Sequence, residues 1–155
     1  MKDFPELPVF YHLSDIADAF HSVRCAIIEA EPGAGKTMLI PALARETGDG
    51  MTILVEPRRI AARSAAHGIA RMHNWQTGRE TGFAVRGESC RCDKNGILAV
   101  TPGILLQMLQ KDPALEGVSA IVFDEFHERA LETDLALTLV LDMRQSLRND
   151  LLLNQ

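Results

Sequence analysis

Apolar residues fall in short runs separated by polar turns, and the spacing within the runs alternates between two kinds. Val23 to Ile28 form an apolar run that ends in Glu29-Ala30-Glu31-Pro32-Gly33-Ala34-Gly35, which predicts a buried strand feeding a Gly-rich turn. Past Lys36, Met38, Leu39, Leu43 and Ala44 recur at helical spacing over Thr37 to Arg45, and Thr47-Gly48-Asp49-Gly50 stops the helix. The pattern then repeats, with a strand over Met51 to Glu56 and an Ala-rich helix over Ile60 to Met72.

Residues 82–86 and 96–100 read as further strands joined by an exposed polar loop, Gly87 to Asn95. Thr101-Pro102 suits a helix start, since a Thr hydroxyl caps free amides and Pro at the first helical position gives up an N–H that is unpaired anyway. Ile104, Leu105, Met108 and Leu109 then make one apolar face. Ala120-Ile121-Val122-Phe123 is unbroken, the pattern of a strand covered on both faces, and runs into Asp124-Glu125. From Leu131 onward, leucines fit both periods, and length and the strand–helix alternation favour helix. The whole predicts one α/β domain over residues 1–155, a mainly parallel sheet with helices on both faces and ligands at the carboxyl ends of its strands.

Composition adds limits. The chain has 155 residues, 46% hydrophobic and 24% charged, enough for one core. A net charge of −5 and a pI near 5.5 exclude a broad basic surface, so any nucleic-acid site must be local. No apolar stretch approaches the ~18 residues that span a bilayer. The first ten residues lack the basic and apolar regions of a secretion signal. The expectation is a cytoplasmic protein with no membrane partner. Three cysteines argue for reduced thiols, and Cys90-x-Cys92, without a second pair, makes a poor zinc site. His12, His21, His67 and His73 show no ligand spacing and read as surface or capping residues, Trp75 as a packing residue near a loop.

Ala30-Glu31-Pro32-Gly33-Ala34-Gly35-Lys36-Thr37 fits a P-loop, with Ala where Gly is commoner, and sits between a strand and a helix as the mechanism requires. Gly33 and Gly35 let successive amides point at phosphate oxygens, and the helix adds its positive end. Lys36 would neutralise the outer phosphates of ATP, and Thr37 would place its hydroxyl on Mg²⁺. Asp124, at the end of an apolar strand, is placed to hold that Mg²⁺ through water, and Glu125 to orient or deprotonate the attacking water. Lys36, Asp124 and Glu125 are therefore the expected catalytic set, and Glu31 to Thr37 the nucleotide cradle.

Gly33-Ala34-Gly35-Lys36-Thr37, Glu56-Pro57-Arg58-Arg59-Ile60-Ala61-Ala62-Arg63, Val85-Arg86-Gly87-Glu88, Thr101-Pro102-Gly103-Ile104-Leu105 and Asp124-Glu125-Phe126-His127-Glu128-Arg129 together resemble the superfamily 2 DEAH/RHA helicases, of the bacterial HrpB type. The resemblance implies a RecA-like P-loop NTPase fold of three αβα layers, and an ATP-dependent motor on a single strand, RNA rather than DNA. It also implies that Arg58, Arg59, Arg63 and Thr101 contact that strand, and that His127 couples nucleotide state to a second RecA-like lobe. Three guanidiniums within six residues suit phosphate recognition, unless some pair with Glu56 or Glu88 at the surface.

Relatives continue into a strand carrying Ser-Ala-Thr and a second lobe that supplies arginine fingers, worth ~10³ to 10⁵ in rate. Leu151 to Gln155 fall where that strand begins. The expectation is thus a first lobe alone, its sheet cut short before the last strands, hydrolysing ATP very slowly. A non-enzymatic nucleotide-binding or interaction module is the alternative. Gly68 stands where many relatives carry an Arg against adenine, and Pro102 where they often have Glu.

Overall fold

The computed structural model describes residues 7–128 and 130–155. Arg129, the last residue of the Asp-Glu-Phe-His-Glu-Arg motif, and residues 1–6 lie outside them. A 3₁₀ turn over Pro8–His12 leads into α1, Leu13–Ser22, then β1, Cys25–Ala26, and α2, Lys36–Glu46. β2, Met51–Val55, α3, Arg59–His73, and β3, Thr81–Val85, follow. Next come β4, Glu88–Cys90, β5, Ile97–Val100, and α4, Pro102–Lys111. The order closes with β6, Val118–Phe123, α5, Leu131–Ser146, and β7, Leu152–Asn154.

Among the described residues these strands form one sheet in the order β1-β7-β6-β2-β5-β3-β4. Every neighbouring pair is parallel except β3 with β4. Side chains along a strand point alternately to its two faces, and the core divides accordingly. Leu54, Val122 and Leu152 join Phe20, Leu39 and Ile69 of α1, α2 and α3 on one face. Ile53, Ile121 and Leu153 join Leu105 of α4 and Val140 and Met143 of α5 on the other. The predicted three layers are present. Among the described residues no helix is long and apolar enough to cross a membrane.

The structure corrects several details. β1 is not a buried strand over 23–28. It has two residues, pairs among the described residues with β7 alone, and leaves Cys25 exposed, because it lies at the edge of the sheet. The loop over 87–95 contains β4, which folds back antiparallel on β3 through Gly87 at φ +84°. Such a hairpin needs only backbone pairing and a turn residue that tolerates positive φ, not an apolar pattern.

Thr101 occupies the cap position of α4, but its hydroxyl makes no capping bond. His73 is not simply a surface residue. It is half-buried, with Nε2 3.1 Å from the Met38 carbonyl and its ring stacked on Trp75, which Arg45 covers from 4.6 Å. Gly68 marks the contact of α3 with α2, for a Cβ there would meet Met38 Cε at 2.8 Å.

Candidate active site

The carboxyl ends of β1, β2 and β6 converge on the turn before α2. Residues Glu31 to Gly35 form that turn, closed by the Ala34 N–H donating to the Glu31 carbonyl at 3.1 Å. Gly35 adopts φ +95°, and Leu7 packs so close that a Cβ there would lie 2.7 Å from Leu7 Cδ1. Two constraints, conformational and steric, thus require glycine at 35. The Met38 and Leu39 N–H groups donate to the Gly35 carbonyl at 3.2 and 3.0 Å, so the Lys36 and Thr37 amides precede the first bonds of α2 and carry the positive end of the helix. Lys36 Nζ donates to the Ala30 carbonyl at 2.5 Å, which sets its ammonium beside the loop.

A cavity of about 370 Å³ opens beside this turn, walled by Lys36, Thr37, Asp124, Glu125 and His127. Residues Glu31 to Gly35 form the adjoining turn rather than the wall. The Thr37 hydroxyl donates to Asp124 Oδ2, bringing together residues 87 apart in sequence. A hydroxyl and a carboxylate make an oxygen-only pair, the donor set a hard cation such as Mg²⁺ accepts. The residues therefore fit nucleotide with Mg²⁺.

Glu125 follows in left-handed backbone, φ +51°, a conformation costing a non-glycine residue roughly 1–2 kcal/mol. Its N–H donates to Asp124 Oδ1 at 2.9 Å, and its carbonyl accepts the Glu128 N–H at 2.9 Å. These bonds turn the chain sharply and set the Glu125 carboxyl on the cavity. His127 Nε2 lies 3.1 Å from Glu125 Oε2. In the described chain, His127 therefore contacts the candidate base itself.

Sequence reasoning overlooked Glu56 as part of this centre and treated it as a surface partner for arginine. It is 2% exposed. Burial first, then the charge and hydrogen bond of Asp124, push its carboxyl up to about 9. Neighbouring carboxyls disfavour ionising together, and with burial this keeps the proton on Glu56. Each acid follows directly on a strand, and Val55 pairs with Phe123, so the two leave adjacent parallel strands side by side, a register that no single segment of the sequence shows.

On the other side of Glu56 a groove of about 1280 Å³ runs past Arg58, Arg59, Arg63 and Thr101, so the structure brings the expected strand residues together. Arg86 and Gln107 also line it, both unassigned by sequence reasoning, as does Glu132. Arg58 Nη2 donates to Glu128 Oε1 at 2.9 Å, and Arg63 lies 3.6 Å from Glu88. Of the two surface pairings left open for these arginines, that with Glu88 is present at Arg63, and Glu128, rather than Glu56, is the partner of Arg58.

The pattern of the DEAD/DEAH box helicase family matches residues 14–143. The ATP-dependent RNA helicase HrpB of Escherichia coli (strain K12) is 41% identical over 147 residues, covering 94% of this chain and 18% of that protein. The human ATP-dependent RNA helicase DHX30 is 39% identical over 147 residues, covering 90% of this chain and 12% of that protein. A crystal structure of the E. coli DExH-box NTPase HrpB superposes with a TM-score of 0.90 at 39% identity, covering 99% of this chain and 19% of that one. A crystal structure of the E. coli DEAH/RHA helicase HrpB gives a TM-score of 0.88 at 40% identity, covering 96% and 19%. The chain thus spans a fifth or less of the length of these relatives.

Proposed function

This chain belongs to the DEAD/DEAH box helicase family, and from that membership we propose that it is the ATP-binding lobe of an ATP-dependent RNA helicase. The observation that carries the reading is the contact of Thr37 with Asp124 on the wall that also holds Lys36 and Glu125. Lys36 leaves the Ala30 carbonyl to neutralise phosphate oxygens, and the amides at the start of α2 donate to them. Thr37 and Asp124 would hold Mg²⁺, Asp124 through water, and the ion would supply charge neutralisation on the phosphate oxygens. Glu125 orients the attacking water and accepts its proton.

Arg58, Arg59, Arg63, Arg86 and Thr101 take the phosphates of a single strand along the groove. The names of the relatives make RNA the proposed strand. His127 stands exposed at the cavity rim, where a second RecA-like lobe would meet it.

One observation favours binding over turnover: among the described residues no arginine lines the cavity. Lys36, the α2 amides and the ion would then meet the transition-state charge without a guanidinium, and turnover by this chain is slow, as for a nucleotide-binding module. Single-turnover hydrolysis of radiolabelled ATP tests the reading. Glu125→Gln lowers the rate by about 10²- to 10⁴-fold while nucleotide affinity stays near that of the parent chain. An unchanged rate would remove Glu125 from the chemistry.

A further inference from the structure

Arg58 is offered to the groove and is simultaneously engaged by the loop of the nucleotide cavity. Arg58 sits at the cap position of α3, two residues past Glu56. Glu128 ends the tight turn that begins at Glu125, and its own N–H closes that turn on the Glu125 carbonyl at 2.9 Å. The 2.9 Å bond between their side chains joins residues 70 apart and links the groove to the turn beside the cavity. The second groove pair, Arg63 with Glu88, joins α3 to β4 and stays on the groove side. Among the described residues Arg58–Glu128 is the ion pair that reaches from groove to cavity loop.

A carboxylate and a strand phosphate seek the same edge of a guanidinium, because both are recognised by paired N–H donors. With 70% of the Arg58 side chain exposed, solvent weakens the pair enough for a phosphate to displace Glu128. Displacement removes a restraint on the turn that carries Glu125 and His127.

We propose that Glu128 is a positioning residue that couples strand binding to the nucleotide site, holding Arg58 when no strand is present and releasing the Glu125 turn when a phosphate takes its place. This rests on the reading of the groove as a single-strand site. Coupling of this kind is reciprocal: nucleotide shifts strand affinity by the factor that strand shifts nucleotide affinity.

The test measures fluorescence anisotropy of a labelled oligouridine on the full chain, with and without the Mg²⁺ complex of a non-hydrolysable ATP analogue. Glu128→Gln keeps the shape of the side chain and removes its charge. It should tighten oligouridine binding by about threefold to fivefold and bring the effect of the nucleotide analogue on strand affinity towards unity. In an Arg58→Gln background the same change should do nothing, because Glu128 acts through Arg58.

A tightening that persists undiminished in Arg58→Gln would show long-range repulsion instead of a latch and overturn the proposal. So would a Glu128→Gln chain with parental affinity and parental response to the analogue. If the parent chain binds no oligouridine, the strand reading and the coupling fall together. If it binds and Glu128 makes no difference, only the coupling falls.

Discussion

Glu56 and Asp124 show how far one side chain's chemistry depends on its neighbour. Both end parallel strands at the same level, and both are buried. Asp124 accepts from Thr37 and from the Glu125 N–H. Glu56 has one buried carboxyl oxygen without a hydrogen-bond partner among the described residues, and it keeps its proton. Burial first, then Asp124 and Glu125, hold its pKa up, and Arg58 draws it down. Folded Glu56 thus holds its proton to about pH 9, whereas the unfolded group releases it near 4.5. Between those values the folded state binds more protons, so stability falls as pH rises. Glu56→Gln, which donates without titrating, should therefore show a flatter dependence and the higher melting temperature at the alkaline end. Thermal melts across that window in chelating buffer check this, and parallel profiles for the two proteins would count against it.

Elements were legible where they fill the core and obscure where they lie at its margins. β6 declared itself because Ala120 to Phe123 are all buried, half against each helical layer. β4 did not, because Glu88 and Ser89 are exposed and Cys90 only half-buried at the far edge. β1 was read as too long for the complementary reason, since Val23 and Ile27 are apolar yet 61% and 70% exposed. In α5 leucines occupy most of the circumference, so neither period stood out. The face that packs is Ala136, Leu137, Val140 and Met143, while Leu131, Leu135 and Leu139 line the solvent side. Urea unfolding separates these roles. Ile121→Ala, fully buried, should cost about 2–5 kcal/mol, whereas Leu131→Ala, 84% exposed, should stay within about 0.5 kcal/mol. Equal losses would contradict the assignment of faces.

At the scale of the whole molecule, the site is a property of the sheet. The P-loop and the Asp124-Glu125 pair were readable as strings, because a Gly-rich turn and an acidic strand end carry their chemistry locally. Their meeting across 87 residues, the proton on Glu56 and the grip of Glu128 on Arg58 depend on parallel register, which no single segment encodes. The same sheet sets the cavity and the groove on either side of the β2 end. All of this stands on the claim that the cavity beside α2 binds ATP with Mg²⁺. Calorimetric titration of the parent chain and of Lys36→Ala with ATP in excess Mg²⁺ tests it most directly. Loss of one charge-assisted contact to phosphate should weaken binding by about 10- to 100-fold with the fold intact by circular dichroism. Equal affinities for the two proteins, or no binding by the parent chain, would contradict the account.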